Sequence, residues 1–588
     1  MRTTSRWTLA ATAVALLVLS VPQARASASV VHVYPSPGTR VASRRTQLSF
    51  RGVAPGALGA VSVVGSVTGA HAGRVEAHSD GQGASFVPDA EFAPGETVTV
   101  HTALDVEGAA GGTFAIGIAT PGPALHPPAR QPPLRLTGAG LVRPHSRHDL
   151  VAPLVHASAP HGRTAPGDLF LGVFDAPGEL GPGQHGPMIT DAAGGLVWFH
   201  PLPAGDTALD VREQQYGGQP VLTWWQGFVN AGVGDGVGEI FDTSYRRIAT
   251  VSAGDGYAAD PHELQLTPRG TALVVVTNPV VWDLSGIGGA RRAVVLDDVV
   301  QEIDVKTGLV LYEWHSLDHV AVRDSYVPPR RVDGHVDDYF HVNSVSETPD
   351  GNLLVSGRNT WTVYKLARAD GRVLWRLGGK RSSFAMGAGA GFAWQHDARV
   401  AADGTITLFD DGAAPAVHRA SRAIAVGIDT KRHRAWLSRE YRHGGPSLLA
   451  DSQGSMQDLA GGDVLVGWGS ERYATEYSRH GALVRDYRFP AGAESYRAYR
   501  FPWSARPLTQ PAIAASTDAH GRTRVYASWN GATGVARWEL LAGPSASALR
   551  PVASVARSGF ETAASIAGAP FVAVQARDAH GAVLATSP

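Results

Sequence analysis

Three short segments of the 588-residue chain carry imidazoles at a recurring place: Pro261-His262-Glu263, Phe340-His341-Val342-Asn343 and Trp394-Gln395-His396-Asp397. Each precedes a turn that opens a strand, at Pro268-Arg269-Gly270, Pro349-Asp350-Gly351 and Ala402-Asp403-Gly404. Eight residues before the turn glycine stand His262, Asn343 and His396. Side chains at one repeat position converge on an axis when the repeats are arranged radially. Imidazole is mostly neutral at pH 7, so it can serve as a nucleophile or carry a proton. His341 lies two residues before Asn343, so a strand puts both on one face. Arg358, in Gly357-Arg358-Asn359, ends the next strand, and an antiparallel pair brings that end back toward His341 and Asn343. Three imidazoles, an amide and a guanidinium suit an oxyanion better than a cation. A three-histidine metal site is the competing chemistry, but no His pair at ligand spacing supports it and Arg358 would repel the ion. A blade-to-blade ion pair is the plainer reading of Arg358, and packing that of Trp224, Trp225 and Trp394. His315, His319 and His418 read as surface or satisfied core groups.

The elements that must position these residues are repetitive. A turn glycine followed by an apolar strand recurs at Gly167, Gly218, Gly270, Gly351, Gly404 and Gly462, with steps of 51, 52, 81, 53 and 58 residues. Between these copies run six hairpins with polar turns, among them Ile303-Asp304-Val305-Lys306-Thr307-Gly308 and Ile428-Asp429-Thr430-Lys431-Arg432. A period of about 50 residues with several strands per unit predicts a β-propeller. Six units give six blades over 165–503, and the long step places an insertion at about 313–340, expected as a loop over one face.

Residues 29–120 alternate as strands do, for example Val98-Thr99-Val100-His101-Thr102, and so do stretches of 505–588 such as Trp538-Glu539-Leu540-Leu541. Both are expected to be β-sandwich domains of the Ig-like or fibronectin-like kind. A Pro-rich connector, 121–164, separates the first from the propeller, because Pro127-Pro128 and Pro132-Pro133 oppose helix and central strand. The fold class is therefore all-β: a six-bladed propeller flanked by two sandwiches.

A formal net charge of −1 without a basic block argues against nucleic-acid binding. The absence of Cys removes disulfides, thiolate metal sites, Fe–S clusters and a thiol nucleophile. Residues 1–28 read as a secretory signal: Arg2 and Arg6, an apolar run from Leu9 to Val21, and small-x-small cleavage sites at Ala24-Arg25-Ala26 and Ala26-Ser27-Ala28. The run is short of the roughly 20 residues a membrane span needs. General secretion is expected rather than a twin-arginine route, with no lipoprotein anchor.

At Asp338-Tyr339-Phe340-His341-Val342-Asn343-Ser344-Val345, Ser356-Gly357-Arg358-Asn359 and Trp394-Gln395-His396 the chain resembles the bacterial PAPS-independent arylsulfate sulfotransferase family. Pro261-His262-Glu263 matches more weakly. The resemblance implies a six-bladed propeller that moves a sulfuryl group from a phenyl sulfate to a phenol through a sulfated histidine, without cofactor or metal. It implies His396 as nucleophile, with His262, His341, Asn343 and Arg358 holding the sulfate and handling the phenolic proton. Whether His262 or His341 is the acid–base stays open, with His341 preferred. The partners implied are small molecules, an aryl sulfate donor and a phenolic acceptor; a homodimer is allowed. The lack of Cys and the C-terminal β domain depart from the family pattern. Two other functions compete: a non-catalytic binding or adhesion propeller, and a metal-dependent hydrolase or lyase.

Overall fold

The computed structural model describes residues 30–124 and 133–588, so the signal reading of 1–28 and part of the Pro-rich connector lie outside the described residues. The described chain is almost entirely β.

Six antiparallel sheets fill the middle of the chain. Sheet one runs Leu196–Phe199, Gly186–Thr190, Asp168–Asp175, Ala493–Phe501. Sheet two is Thr207–Tyr216, Gln219–Asn230, Val233–Phe241, Arg247–Val251, and sheet three Leu264–Leu266, Thr271–Trp282, Ala293–Asp304, Val310–His315. Sheet four is Val342–Glu347, Leu353–Gly357, Thr362–Leu366, Val373–Gly378. Sheet five takes His396–Val400, Ile406–Asp410, Arg422–Asp429 and Arg434–Tyr441, with Ala385–Met386 on its outer edge. Sheet six takes Ser455–Asp458, Val464–Gly467, Tyr473–Tyr477 and Leu483–Arg488, edged by His156–Ala157 from the connector.

Middle strands such as Thr271–Trp282 and Ala293–Asp304 carry consecutive apolar residues, at 272–276 and 293–296, rather than alternating ones, because both faces are covered. Each face packs on the neighbouring sheet. Phe170 and Trp198 of sheet one meet Leu222 and Trp224 of sheet two; Val221 and Ile240 meet Ala272 and Val274; Leu273 and Val275 meet Val345 and Val355. Leu354 and Val363 meet Leu408 and Ile424, Phe409 and Ala423 meet Val464 and Trp468, and Leu465 and Tyr487 return to Leu169 and Met188. The packing therefore closes on itself, and the chain closes it too: sheet one takes its inner strand, Ala493–Phe501, from the far end of the region. Sequence periodicity shows the repeat but not this exchange.

Two expectations are corrected in detail. Val310–His315 is the outer strand of sheet three, so the insertion proper starts with the short helix Ser316–His319 and includes Val336–Asp337, which pairs in parallel with Ala293–Asp304. The strand Leu353–Gly357 ends beside Arg358, seven residues after Gly351, but in sheets two and three the corresponding strand does not end at that distance from its turn glycine. Gln219–Asn230 and Thr271–Trp282 run on as long hairpins, one of whose tips brings Gly232 beside His341.

Before the ring, two four-stranded sheets within 32–117 enclose a core of Leu48, Phe50, Phe86, Phe92 and Val100. After it, a three-stranded and a four-stranded sheet enclose Val525, Trp529, Trp538 and Val574. Tyr34 Oη donates to the carbonyls of Arg368 and Ala369, at 2.7 and 2.8 Å. Asn530 exchanges two hydrogen bonds with the Phe199 backbone. Among the described residues no helix is long and apolar enough to cross a membrane.

Candidate active site

Three inner strands carry a register shift near their starts: between Leu209 and Arg212, between Val342 and Ser344, and between His396 and Arg399. Such bulges re-aim side chains. Left-handed backbone at non-glycine residues clusters at the same level, at Asp210 (φ 56°), His341 (54°), Trp394 (60°), Asp397 (53°) and Gln453 (73°). Local strain of this kind is held in place only by the surrounding packing. Together these features turn the ends of inner strands from different sheets toward a common axis.

The three histidines foreseen from sequence meet there. The His262 and His341 rings lie 4.9 Å apart, edge to face. His396 is buried, and the charges that act on its ring are those of Arg358, His262, His341 and Arg497. Asn343, fully buried, donates to the carbonyl of Gln395 at 2.6 Å, which ties sheet four to the residue before His396. The Arg358 backbone N–H donates to His341 O at 3.0 Å, as the antiparallel argument requires. All five candidate residues are thus brought into one place.

Each imidazole has a carboxylate on Nδ1. His262 pairs with Asp260, His341 with Asp338 at 2.6 Å and His396 with Asp411 at 2.8 Å. Three sequence-distant dyads leave three Nε2 atoms as the working positions. At His396 the tautomer follows from geometry: Nε2 accepts the Gln453 backbone N–H at 3.1 Å, so Nδ1 holds the proton and donates it to Asp411. Burial, reinforced by the Arg358 charge, holds the His396 pKa well below 6.5, so the ring is neutral at pH 7. Burial likewise pushes the Asp411 carboxyl well above its usual range, while Arg358 pulls it back. Asp338 stays low in spite of its burial because the His341 ring and Arg358 favour its anion. Asp298, which accepts the His341 backbone N–H at 2.9 Å, is raised by burial and by Asp338 and Asp260.

Arg358 is not the ion pair that a plain reading allows: among the described residues its guanidinium has no carboxylate partner. It donates to the carbonyl of Asp451 at 2.8 Å and to Asn359 Oδ1 at 3.0 Å, and it stacks over Trp394 with its carbon 5.0 Å from the ring centre. Its positive charge remains available to an anion. Trp224 and Trp225 are core residues, as expected, whereas Trp394 is both buried and the platform for Arg358. His315 is a satisfied core group between Asp297 and Glu313. His319 stacks on Trp314 and His418 faces Asp410.

A largely buried ionic layer underlies the site, with Arg399 at its partly exposed edge. Arg497 reaches Asp210 at 2.8 Å and Glu263 at 3.4 Å; Glu263 also binds Arg212 and Arg399, and Asp397 binds Arg399 and Tyr499. Three arginines face three carboxylates drawn from sheets one, two, three and five. Arg497 Nη2 also donates to the carbonyls of His262 and Asn343, at 3.0 and 2.8 Å, so the layer fixes the site residues from below. Sequence reasoning missed Asp260, Asp338, Asp411, Gln453, Tyr496 and Arg497 as site residues. The signals were present in part: Asp260-Pro261-His262, Asp338 three before His341, and Asp411 seven after Gly404. Among the described residues, no group of three or more His, Cys, Asp or Glu side chains has an arrangement that could hold a metal ion.

Residues 212–490 match the arylsulfotransferase (ASST) family model. Over this segment the chain is similar to the arylsulfotransferase family. The matched segment contains His262, His341, Asn343, Arg358 and His396, while the closing strand Ala493–Phe501 lies beyond it. No curated protein matches the sequence. Solved structures similar to the chain include a protein of unknown function from Bacteroides caccae, 14% identical, TM-score 0.35, covering 57% of this chain and 98% of that one. A virginiamycin B lyase from Staphylococcus aureus is 9% identical, TM-score 0.28, over 63% of this chain and 94% of its own. A GH43 protein from Bacillus licheniformis is 8% identical, TM-score 0.26, over 64% and 88%. No functional argument rests on likenesses of that size.

Proposed function

We propose that the chain is a secreted, six-bladed propeller enzyme that transfers a sulfuryl group from an aryl sulfate to a phenol by a ping-pong route through sulfated His396. The six closed sheets are its blades, and the flanking two-sheet units are its sandwich domains. One observation carries the reading: a neutral imidazole, two further carboxylate-backed imidazoles and an arginine free of any acid converge on one buried axis.

In the first half-reaction the Gln453 N–H shifts its hydrogen bond from His396 Nε2 to a sulfuryl oxygen. The freed Nε2 lone pair attacks sulfur, the N–S bond forms and the bond from sulfur to the aryl oxygen breaks. The departing phenolate, whose conjugate acid has a pKa near 10, takes a proton from His341 or His262; the ionised Asp338 behind His341 favours the former. In the second half the acceptor phenol returns its proton to that imidazole, its oxygen attacks sulfur and the N–S bond breaks. Arg358 balances the single negative charge of the sulfuryl group, and Asp411 balances the charge that develops on the His396 ring. Asn343 orders the floor beside Gln395. Transfer of this kind depends mainly on positioning and electrostatics, as in phosphoryl transfer, and acid–base help is worth roughly 10²–10⁴-fold.

Mixing the protein with an aryl sulfate and measuring intact mass tests the proposal. One sulfuryl group per chain is expected, with release of one phenol, and His396→Ala abolishes both. Turnover by His396→Ala at the wild-type rate would return the chain to the binding-propeller reading, and activity lost on chelation and restored by metal would favour the hydrolase reading.

A further inference from the structure

The Gln453 N–H reaches His396 only because its loop is held in a left-handed conformation, with φ 73° at Gln453 and 100° at Gly454. Two contacts to the closing strand hold it. Gly454 N donates to Tyr496 O at 2.9 Å. The Gln453 side-chain amide donates to Glu494 Oε1 at 2.7 Å. Glu494 is buried, and two acceptors at this contact lack any donor: Glu494 Oε2 and Gln453 Oε1. An amide facing an ionised carboxylate supplies only donors from nitrogen and leaves both acceptors orphaned. One proton on Glu494 repairs both at once, since a carboxylic acid and a primary amide form a cyclic pair with two hydrogen bonds.

Resting on the reading of His396 as the reacting group, we propose that Glu494 is a positioning residue. It acts in its protonated form, pairing doubly with the Gln453 side chain and so aiming the Gln453 N–H at His396 Nε2, and afterwards at the sulfuryl oxygens carried there. Burial supports this, pushing the Glu494 carboxyl up to about 7. The ionisable groups on the elements packed around it are engaged elsewhere or exposed. Asp175 pairs with His185, Asp210 with Arg212 and Arg497, and His396 with Asp411. Tyr496 Oη bonds the His262 and Asn343 carbonyls, and Asp451 is exposed. Deprotonation then leaves two buried acceptors opposed, and the loop loosens as pH rises through about 7.

The test uses the full chain, Glu494→Gln and Glu494→Leu, between pH 6 and 9. The primary readout is carbethoxylation of His396 by diethyl pyrocarbonate, followed by peptide mass. Because His396 is neutral throughout this range, its labelling rate reports protection and not ionisation. Wild type should be protected at pH 6.5 and label about tenfold faster at pH 8.5, the factor expected for losing one buried hydrogen bond. Glu494→Gln, whose amide reproduces the cyclic pair, should remain protected at every pH. Glu494→Leu should label fast throughout. The kcat for aryl sulfate should fall with pH as labelling rises in the wild type and not in Glu494→Gln, with KM little changed. Bound sulfate takes the Gln453 N–H from His396 Nε2, and that donor stays aimed at the sulfuryl oxygens only while Glu494 is protonated. The same pH dependence in Glu494→Gln as in the wild type, or full protection in folded Glu494→Leu, overturns the proposal. Wild type without aryl sulfate turnover but with the expected labelling pattern overturns the sulfotransferase reading and leaves the positioning role standing.

Discussion

Replacing Arg358 by Gln separates the electrostatic account from a purely structural one. The side chain keeps a hydrogen-bonding end but loses its charge. In the resting protein Arg358 holds the Asp451 carbonyl at 2.8 Å and Asn359 Oδ1 at 3.0 Å and stacks on Trp394. A shorter amide cannot keep all three. Removing a donor aimed at developing negative charge in a site of this kind raises the barrier by about 2.7–4 kcal/mol, or 10²–10³-fold in kcat. A second consequence has a definite sign. After burial, Arg358 is the largest cause of the low His396 pKa, so its loss lets that pKa rise toward 6.5. The ring then protonates at higher pH, and the acid limb of sulfuryl uptake shifts upward. Single-turnover labelling, followed by intact mass from pH 4.5 to 8, measures both effects, with circular dichroism to confirm the fold. A folded Arg358→Gln protein that labels within about threefold of wild type, or whose acid limb moves downward, would refute the claim that this guanidinium serves the sulfuryl group and tunes His396.

Other substitutions test neighbouring parts of the argument. Asp411→Asn replaces the carboxyl oxygen that accepts the His396 Nδ1 proton by an amide whose NH2 can turn to the ring and disfavour the attacking tautomer, so single-turnover labelling should slow by about tenfold or more, with KM little changed. Arg497→Met strips the central cation from Asp210, Glu263 and Asp397, and breaking a buried pair of this kind should lower stability by about 3–5 kcal/mol in chemical denaturation. Acid should destabilise the protein through those histidines whose pKa burial lowers, His319 among them. Burial lowers the His319 pKa to about 4 against 6.5 unfolded, so the unfolded chain takes up the proton first and stability is lost as pH falls from 6.5 toward 4. His319→Phe, which keeps the stack on Trp314, should flatten that loss by up to about 1.4 kcal/mol per pH unit.

The repeat of turn glycines made the six-sheet order legible, because every unit but the one with the insertion spends a similar chain length on the same strands. It also put His262, Asn343 and His396 at the starts of inner strands, two residues before one, second in the next and first in the third. The partners behind them were less legible for a physical reason. A carboxylate on Nδ1 can come from any loop that the ring brings close: Asp260 is two residues from its histidine, Asp338 three and Asp411 fifteen. No single spacing encodes the dyad. Arg497 was invisible because its meaning depends on which sheet the strand Ala493–Phe501 joins. One clue was available. Like the other turn glycines Gly167 opens the second strand of its sheet, but no strand of that sheet precedes it, so the sheet must borrow an inner one.

That borrowed strand explains why closure of the ring and assembly of the site are one event. Ala493–Phe501 pairs with Asp168–Asp175 and in doing so supplies Glu494 to the Gln453 loop, Tyr496 Oη to the His262 and Asn343 carbonyls, and Arg497 to the same two carbonyls and to three carboxylates. Before it docks, Asp210, Glu263 and Asp397 face one another with two arginines rather than three, and the backbone on which two of the candidate residues stand has lost its pin. An open ring would thus carry a net negative charge beneath the candidate site, which on the proposed function disfavours an anionic substrate. Docking adds the missing cation and the missing hydrogen bonds together. Weakening the closing strand should accordingly reduce sulfuryl uptake before it unfolds the outer strands, since the site depends on all of these contacts and each outer strand on only a few.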